Sequence, residues 1–254
     1  MPSQNSAAPA IRFEAAGAET PARHGRRLAQ VLGCRGCHGA DLAGQPWEED
    51  PAFAILYSSN LTRVVSRYDD AALARAIRLG VRPDGSPLWA MPSETFSRLS
   101  EPDMAALIAY LRTLRPAGRD YPRMAIGPRG RQAIDRGEIR PAPYHVREGR
   151  DRAPVRLDER HDWARYIARA TCGECHGLDL SGSPTPDADD PPDLIVAGAY
   201  SRAEFRRLLR TGVPTGGRRL ALMATVARSR FSRLTDREVD AIYDYLVARA
   251  RQAH

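Results

Sequence analysis

The pentapeptide Cys-x-x-Cys-His occurs twice in this chain, at residues 34–38 (the first motif) and at residues 172–176 (the second motif). This sequence is typical of c-type haem attachment, because a two-residue spacer lets both thiols reach the vinyl groups of one porphyrin. The histidine that follows comes under the iron as its proximal ligand. We therefore predict two covalently bound haem c groups, held by Cys34, Cys37, His38, Cys172, Cys175 and His176.

Three other uses of paired cysteines explain the sequence less well. A zinc site built from two Cys-x-x-Cys pairs usually keeps them within a few tens of residues, and here they stand half a chain apart. A thioredoxin-like redox pair lies between a strand and a helix and needs no histidine. Structural disulfides would leave the histidine of each motif unexplained. Haem attachment explains the cysteines and the histidines together.

The cellular compartment follows from the same motifs. Bacteria attach haem to cysteines outside the cytoplasm, so we predict a periplasmic protein. Residues 1–10 show neither the basic nor the apolar region of a signal peptide. No stretch approaches the roughly 20 apolar residues of a membrane span. We expect that the natural precursor carries a signal peptide or an N-terminal anchor, and anchoring to the outer face of the cytoplasmic membrane stays open.

The charge of the chain does not indicate nucleic-acid binding. The formal net charge is +7, and every basic side chain other than histidine is an arginine. The carboxylates of two haems would reduce that excess. Nucleic-acid binding needs a focused basic face with groups that stack on bases or read them. No such motif occurs, so we expect protein partners and no nucleic acid.

Each motif is followed by the same series of short segments, which indicates an internal duplication. The spacing between matching segments changes slightly along the chain, and this places the insertions in loops. One domain has therefore been used twice. The matching segments are 39–46 with 177–184, 68–91 with 200–223, and 96–99 with 231–234.

Apolar residues at helical spacing predict three helices in each repeat. Ser100 and Thr235 open capping patterns at the start of the two last helices. No convincing alternating strand occurs, so the predicted fold class is all-α. We predict a flexible N-terminus over residues 1–20, a first domain over 21–115, a connecting strap over 116–157 and a second domain over 158–251.

The strap (residues 116–157) is rich in proline, arginine and glycine. It is too long for an ordinary loop inside a helical bundle. We interpret it as an ordered segment that lies over both domains, with one short helix near residues 130–137. A flexible linker is the alternative. The apolar residues that would anchor an ordered strap are Tyr121, Met124, Ile126, Ile134, Ile139, Tyr144 and Val146.

Each repeat resembles a class I cytochrome c domain, which runs helix, Cys-x-x-Cys-His, loop, middle helix, methionine loop and last helix. Segments 59–62, 80–85, 91–92 and 109–111 resemble the multihaem cytochrome subunits of membrane-associated bacterial dehydrogenases. The chain is also similar to soluble dihaem cytochromes that feed terminal oxidases. This resemblance implies a relay of single electrons, from a dehydrogenase or another donor to a cytochrome or terminal oxidase.

The methionines are the candidates for the sixth iron ligand. Met91 and Met223 occupy equivalent positions in the repeat, and the family resemblance places the sixth ligand there. Met124 in the strap is the rival for the first haem. A neutral thioether favours Fe(II) and raises the reduction potential relative to a second histidine. Six-coordinate iron leaves no position for oxygen or a substrate, so we predict an electron carrier and not an enzyme.

The surroundings of the haems are predicted in less detail. The resemblance implies that a proline carbonyl, from Pro51 or Pro192, accepts the Nδ1–H of each proximal histidine. Asn60 is a candidate polar partner at the edge of the first haem. We expect Trp89, with Trp47 and Tyr57, to pack on the same haem. The alternatives to a relay are a dihaem redox enzyme, such as a peroxidase or a sulfur-compound oxidase, and a subunit that wires a larger complex.

Overall fold

A computed structural model describes residues 11–15, 17, 19–183, 190–216 and 220–253. The molecule is mainly helical, which confirms the predicted fold class. The first domain contains α1 (Pro21–Val31), α2 (Cys34–His38), β1 (Gln45–Asp50), β2 (Ala54–Ser58), α3 (Leu61–Val64), α4 (Asp70–Leu79), α5 (Ser93–Phe96) and α6 (Glu101–Leu111). The strap contains β3 (Ala125–Ile126), α7 (Pro128–Asp135) and α8 (Ala142–Glu148). The second domain contains α9 (Asp162–His176), α10 (Arg202–Thr211), α11 (Ala221–Ser229) and α12 (Asp236–Gln252).

The ends of the helices follow from local chemistry that the sequence displays. The Thr235 hydroxyl accepts the N–H of Glu238 at 3.1 Å, and the Glu238 carboxylate accepts the N–H of Thr235 at 2.8 Å. This reciprocal capping box starts α12. The middle helices α4 and α10 both end at a glycine with a left-handed backbone, Gly80 with φ 66° and Gly212 with φ 75°. The two repeats therefore start and stop equivalent helices by the same means.

The first and last helices of each domain pack against each other and form the core on which the haem sites are built. In the first domain α1 crosses α6, and in the second α9 packs on α12. The crossing of α1 and α6 depends on Gly25, because a Cβ atom there would lie 1.9 Å from the carbonyl oxygen of Ala106. Leu28 and Leu107 are buried beside this contact. A larger residue at position 25 would force the helices apart.

A small antiparallel sheet contradicts the expectation that the chain has no strands. Its order is β1-β2-β3, with Asp50 opposite Ala54 at the turn and Ala54 opposite Ile126. No alternating pattern marks these strands, because β1 is polar and acidic and β3 has two residues. Backbone pairing, not a buried apolar face, defines this sheet. It joins the strap to the first domain.

The strap is bound to both domains. The Ala142 N–H donates to the carbonyl of Leu88 in the first domain at 2.8 Å. The Tyr245 hydroxyl of the second domain donates to the carbonyl of Val155 at 2.7 Å. All seven predicted apolar anchors are only half-buried. The buried apolar side chains of the strap are those of Ala133, Ala142 and Pro154, none of which was among the predicted anchors.

The N-terminal segment (residues 11–15) is packed between the two domains, so the predicted flexible N-terminus is wrong for this part. Phe13 is fully buried, and its ring meets Tyr166 edge to face with centroids 5.7 Å apart. Its N–H donates to Asp103 of the first domain at 2.9 Å, and the N–H of Glu14 donates to Glu238 of the second at 2.9 Å. Residues 1–10, to which the same prediction applied, lie outside the described residues.

Within the described ranges, no helix has both the length and the apolar character that crossing a membrane requires.

Candidate haem sites

The first motif forms its own short helix, α2, directly after α1. Gly33, with φ 81°, makes the left-handed turn between the two helices. Cys34 and Cys37 stand three residues apart in α2, which places both sulfurs on one face. In the second domain the long helix α9 continues through the second motif without a break. Both arrangements present two cysteines and a histidine from the end of a helix.

The ring of each proximal histidine is oriented by a backbone carbonyl. Nδ1 of His176 lies 2.8 Å from the carbonyl oxygen of Pro192, which is the predicted contact. Nδ1 of His38 lies 2.8 Å from the carbonyl oxygen of Ser59 instead. The assignment of Pro51 to this role is therefore wrong. Pro51 belongs to the exposed turn between β1 and β2, a hairpin that separates it from His38.

The same turn follows both motifs and explains why Ser59 and Pro192 are equivalent. Leu42 and Leu180 adopt φ values of 63° and 65°, a left-handed conformation that is rare for a residue with a branched side chain. Both leucines are fully buried. Their carbonyls accept N–H groups from Leu61 at 2.9 Å and Leu194 at 3.0 Å. These bonds hold the backbone at Leu61 and Leu194 in place. The carbonyls two residues earlier, those of Ser59 and Pro192, therefore reach the histidines.

Burial affects the protonation of both histidines in the same direction. It lowers the pKa of His38, and the hydrogen bond to Ser59 opposes that change only in part. The pKa of His176 is lowered for the same reason, with Pro192 opposing it. Iron binds the neutral imidazole, so a lowered pKa favours the form that can act as a ligand. A hydrogen bond from Nδ1–H leaves Nε2 as the coordinating atom.

A cavity of about 350 Å³ brings the predicted ligands of the first haem together. Its wall includes Cys34, Cys37 and His38 from α2, and Met91 from the loop before α5. The rest of the wall is largely apolar, and its volume falls within the range of pockets that hold small molecules. The further apolar residues around it include Leu32, Leu61, Val64, Leu73, Ile77, Leu88, Phe96 and Leu107. Cysteines, histidine, thioether and apolar walls fit a covalently bound haem.

The structure separates the two methionines that compete for the first site. Met91 lines the cavity that contains His38. Met124 lines a neighbouring cavity of about 70 Å³ under the strap. Met91 thus remains the proposed ligand. Met223 differs from the prediction in one respect, since it stands in the first turn of α11 and not in a loop.

The aromatic residues predicted around the first haem lie at the cavity, whereas Asn60 does not. Trp47, Tyr57 and Trp89 all contribute to its wall. The Trp47 indole N–H donates to the carbonyl of Cys37 at 3.0 Å, which ties β1 to the attachment helix. The side chain of Asn60 instead donates to the carbonyl of Ala117 at 2.7 Å. The proposed role of Asn60 as a haem partner is wrong, because its amide holds the start of the strap.

Two arginines with the same structural role in the two repeats were not recognised from the sequence. Arg78 donates to the carbonyl of Leu99 at 2.7 Å, and Arg210 donates to the carbonyl of Leu234 at 2.6 Å. Both arginines stand at the end of a middle helix and reach the turn before the last helix. Their identical placement in the repeat was the available signal. Each one ties the end of its middle helix to the start of the last helix.

The two motifs approach each other across the domain interface. Nη2 of Arg230 lies 2.8 Å from a carboxylate oxygen of Glu174, which stands between the two cysteines of the second motif. The same nitrogen donates at 3.0 Å to the carbonyl of Leu32, two residues before the first motif. Glu174 also contributes to the wall of the first cavity. Neither residue has an equivalent in the first repeat, so the sequence did not indicate this contact.

The comparisons with known proteins agree with this geometry. The cytochrome c family model matches residues 22–115 and again residues 164–249. The fructose dehydrogenase cytochrome subunit of Gluconobacter japonicus is 27% identical over an alignment of 267 positions, gaps included, that covers 87% of this chain and 51% of that protein. The cytochrome c subunit of the alcohol dehydrogenase (quinone) of Gluconacetobacter polyoxogenes is 39% identical over 95 residues, or 34% of this chain and 20% of that one.

A third relative is similar in length to the chain. The thiosulfate dehydrogenase electron acceptor of Thiomonas intermedia is 28% identical over 232 residues, which cover 90% of this chain and 83% of that protein. The chain spans about half of the fructose dehydrogenase subunit and a smaller part of the alcohol dehydrogenase subunit. The double match to the family model covers most of the sequence. This protein therefore belongs to the cytochrome c family, whose members transfer electrons with covalently bound haem c.

Proposed function

We propose that this chain is a dihaem cytochrome c that relays single electrons in the periplasm, from a dehydrogenase or another donor to a respiratory acceptor. One observation carries the proposal: a single apolar cavity unites Cys34, Cys37 and His38 with Met91. These are the residues that a covalently attached haem with histidine and methionine ligands requires. The second motif repeats the attachment chemistry in the other domain.

The residues of the chain have distinct tasks in this proposal. When bound, haem supplies a one-electron couple between Fe(II) and Fe(III). Cys34 and Cys37 would hold it by covalent bonds, and the Ser59 carbonyl orients the His38 ring. Met91 would offer the iron a neutral sulfur and so keep water and small oxidants away from it. The chain thereby favours electron transfer over bond-making chemistry.

The second site is proposed to work in the same way. His176 is oriented by Pro192, and Met223 stands at the repeat position of Met91. The second cysteine of each motif differs in exposure, since Cys37 is half-buried and Cys175 is exposed. We infer that the second haem lies nearer to solvent. An exposed haem edge is the place where a partner protein would exchange electrons.

The relatives support the class of partner. Of the three similar proteins, two are named as cytochrome subunits of dehydrogenases and one as the electron acceptor of a dehydrogenase. We therefore propose a dehydrogenase as the donor, and a cytochrome or terminal oxidase as the acceptor. The formal charge of +7 would favour an acidic docking surface on one of them.

Spectra of ligand variants test the proposed function. The wild-type protein should show two low-spin haems and the near-infrared band of a sulfur–iron bond. Met91→Ala and Met223→Ala should each remove part of that band, whereas Met124→Ala should leave it unchanged and serves as the matched control. A high-spin haem in the wild-type protein would contradict the relay and indicate a dihaem enzyme with an open iron position.

A further inference from the structure

Arg230 of the second domain binds Glu174 of its own domain and, at the same time, backbone carbonyls of the first domain. Arg230 follows α11 in the second domain and reaches the end of α1 in the first. Its Nε lies 3.4 Å from the carbonyl oxygen of Val31, and its Nη2 lies 3.0 Å from that of Leu32. Those carbonyls are among the orphan acceptors at a helix C-terminus, where a guanidinium binds favourably.

The ion pair itself is partly withdrawn from water. The side chain of Arg230 is 14% exposed and that of Glu174 is 27% exposed. A pair in such a setting is screened less by salt than a surface pair, and each partner depends more on the other. Glu174 is held on a helix between two cysteines, so an Arg230 side chain bound to it links the second motif to the end of α1. The contact therefore reports directly on the position of the second motif.

Gly33 lets the guanidinium come this close. A Cβ atom at position 33 would lie 2.4 Å from the Cζ atom of Arg230. The residue also has φ 81°, so glycine is favoured on both counts. Gly33 stands immediately before Cys34. Its lack of a side chain thus leaves room for Arg230 between the two attachment segments.

We propose that Arg230 and Glu174 form an electrostatic lock between the two haem-attachment segments, which fixes their separation and sets the charge that both haem sites experience. The proposal rests on the proposed dihaem function and adds a positioning role for two residues to it. Glu174 places a negative charge at the first cavity and inside the second motif, and Arg230 compensates it. Electrostatic effects of this kind are large at sites with low solvent exposure.

The sign of the effect distinguishes a lock from simple structural support. Arg230→Gln leaves the Glu174 carboxylate unpaired, which stabilises Fe(III), so the reduction potential of the haems should fall. Glu174→Gln leaves the Arg230 charge unpaired, so the potential should rise. The double variant should return close to the wild-type value. A residue that only supports the fold would shift both single variants in the same direction.

The experiment measures three properties of the same holoprotein. Haem content and the histidine–methionine spectrum are recorded first for every variant, then both midpoint potentials, then hydrogen exchange of residues 31–38 and 172–176. Arg228→Gln is the control, because this exposed arginine stands two residues away and forms no ion pair with a described residue. Arg230→Lys keeps the charge but cannot bind both carbonyls and the carboxylate at once, so it should rescue the potential more than the exchange protection.

The outcomes distinguish failure of the lock from failure of the proposed dihaem function. Opposite potential shifts, with faster exchange in both segments for Arg230→Gln, support the lock. The lock is overturned if both haems are present but the midpoint potentials of the two single variants are unchanged or shift in the same direction. It is also overturned if hydrogen exchange in Arg230→Gln equals that of the Arg228→Gln control. Either result leaves the dihaem function intact. A wild-type protein without two histidine–methionine haems overturns both.

Discussion

Asp103 and Glu238 occupy the same position in the two repeats, and each carboxylate accepts a hydrogen bond from the first helix of the other domain. The Tyr166 hydroxyl donates to Asp103 at 2.6 Å, and Arg27 donates to Glu238 at 2.8 Å. Both acids are almost completely buried. Acidic residues in the first turn of each last helix therefore join the two domains by reciprocal contacts.

The first prediction concerns this buried charge. Glu238→Gln should lower the free energy of unfolding by about 3–5 kcal/mol, because it leaves Arg27 without its partner in a largely buried place. Chemical denaturation of the holoprotein measures the change. Glu101→Gln is the matched control, since that side chain is 84% exposed in its pair with Arg78, and it should cost about 1 kcal/mol at most. Equal losses in both variants would contradict the interface role of Glu238.

The second prediction concerns the N-terminal segment. Phe13→Ala should cost about 3–5 kcal/mol, which is the usual loss for a fully buried aromatic side chain. The loss should appear in both domains, because the ring packs on Tyr166 while its backbone is bound to Asp103. Thermal unfolding followed at each haem would show this. A variant as stable as the wild type would mean that residues 11–15 do not hold the domains together.

The third prediction tests the crossing of α1 and α6. Gly25→Ala should destabilise the first domain by about 1–3 kcal/mol or more, because the added methyl group would meet a backbone oxygen that cannot move freely. Gly36→Ala is the control, since a Cβ atom there has no neighbour within 4 Å. That substitution should be neutral or slightly stabilising in a helix. Both variants are compared by denaturation with the haem content checked by absorbance.

The fourth prediction concerns acid stability. A hydrogen bond from Arg160, with a further contribution from His161, lowers the pKa of Asp158 from 3.8 to about 2. A carboxylate whose pKa is lower in the folded state stabilises the fold above the unfolded pKa, and the effect disappears as the pH falls through the folded pKa. The difference in Tm between wild type and Asp158→Asn should therefore close between about pH 4 and pH 2. A difference that stays constant over that range would show that the charge of Asp158 is not responsible.

The sequence predicts the helical repeat well because its signals are local. The caps at Ser100 and Thr235, the stops at Gly80 and Gly212, and the motifs themselves depend on residues that stand close together in the chain. The turn after each motif could also have been aligned, since Ser59 and Pro192 both precede a leucine by two residues. The assignment of Pro51 failed because the β1–β2 hairpin is present in the first domain, and the residue type was followed instead of the position.

Other features depend on contacts between distant segments and have no local pattern. Asn60 resembled a polar haem partner, yet its amide binds Ala117 of the strap. Phe13 stands before the first predicted helix and shows no periodic apolar pattern with its neighbours, so nothing indicated that it would be buried between two domains. The Arg230–Glu174 pair joins residues far apart in the chain, and neither has an equivalent in the first repeat. Such contacts become visible only when the arrangement of the two domains is known.

The haem content of the purified protein tests the central claim most directly. The chain is expressed with the bacterial haem-attachment system, and its intact mass is compared with that of the bare polypeptide after acid–acetone extraction. We expect a mass increase of two haems in the wild type, and of one in Cys37→Ala and in Cys175→Ala. A wild-type mass that corresponds to one haem, to none, or to a bound zinc ion would contradict the account.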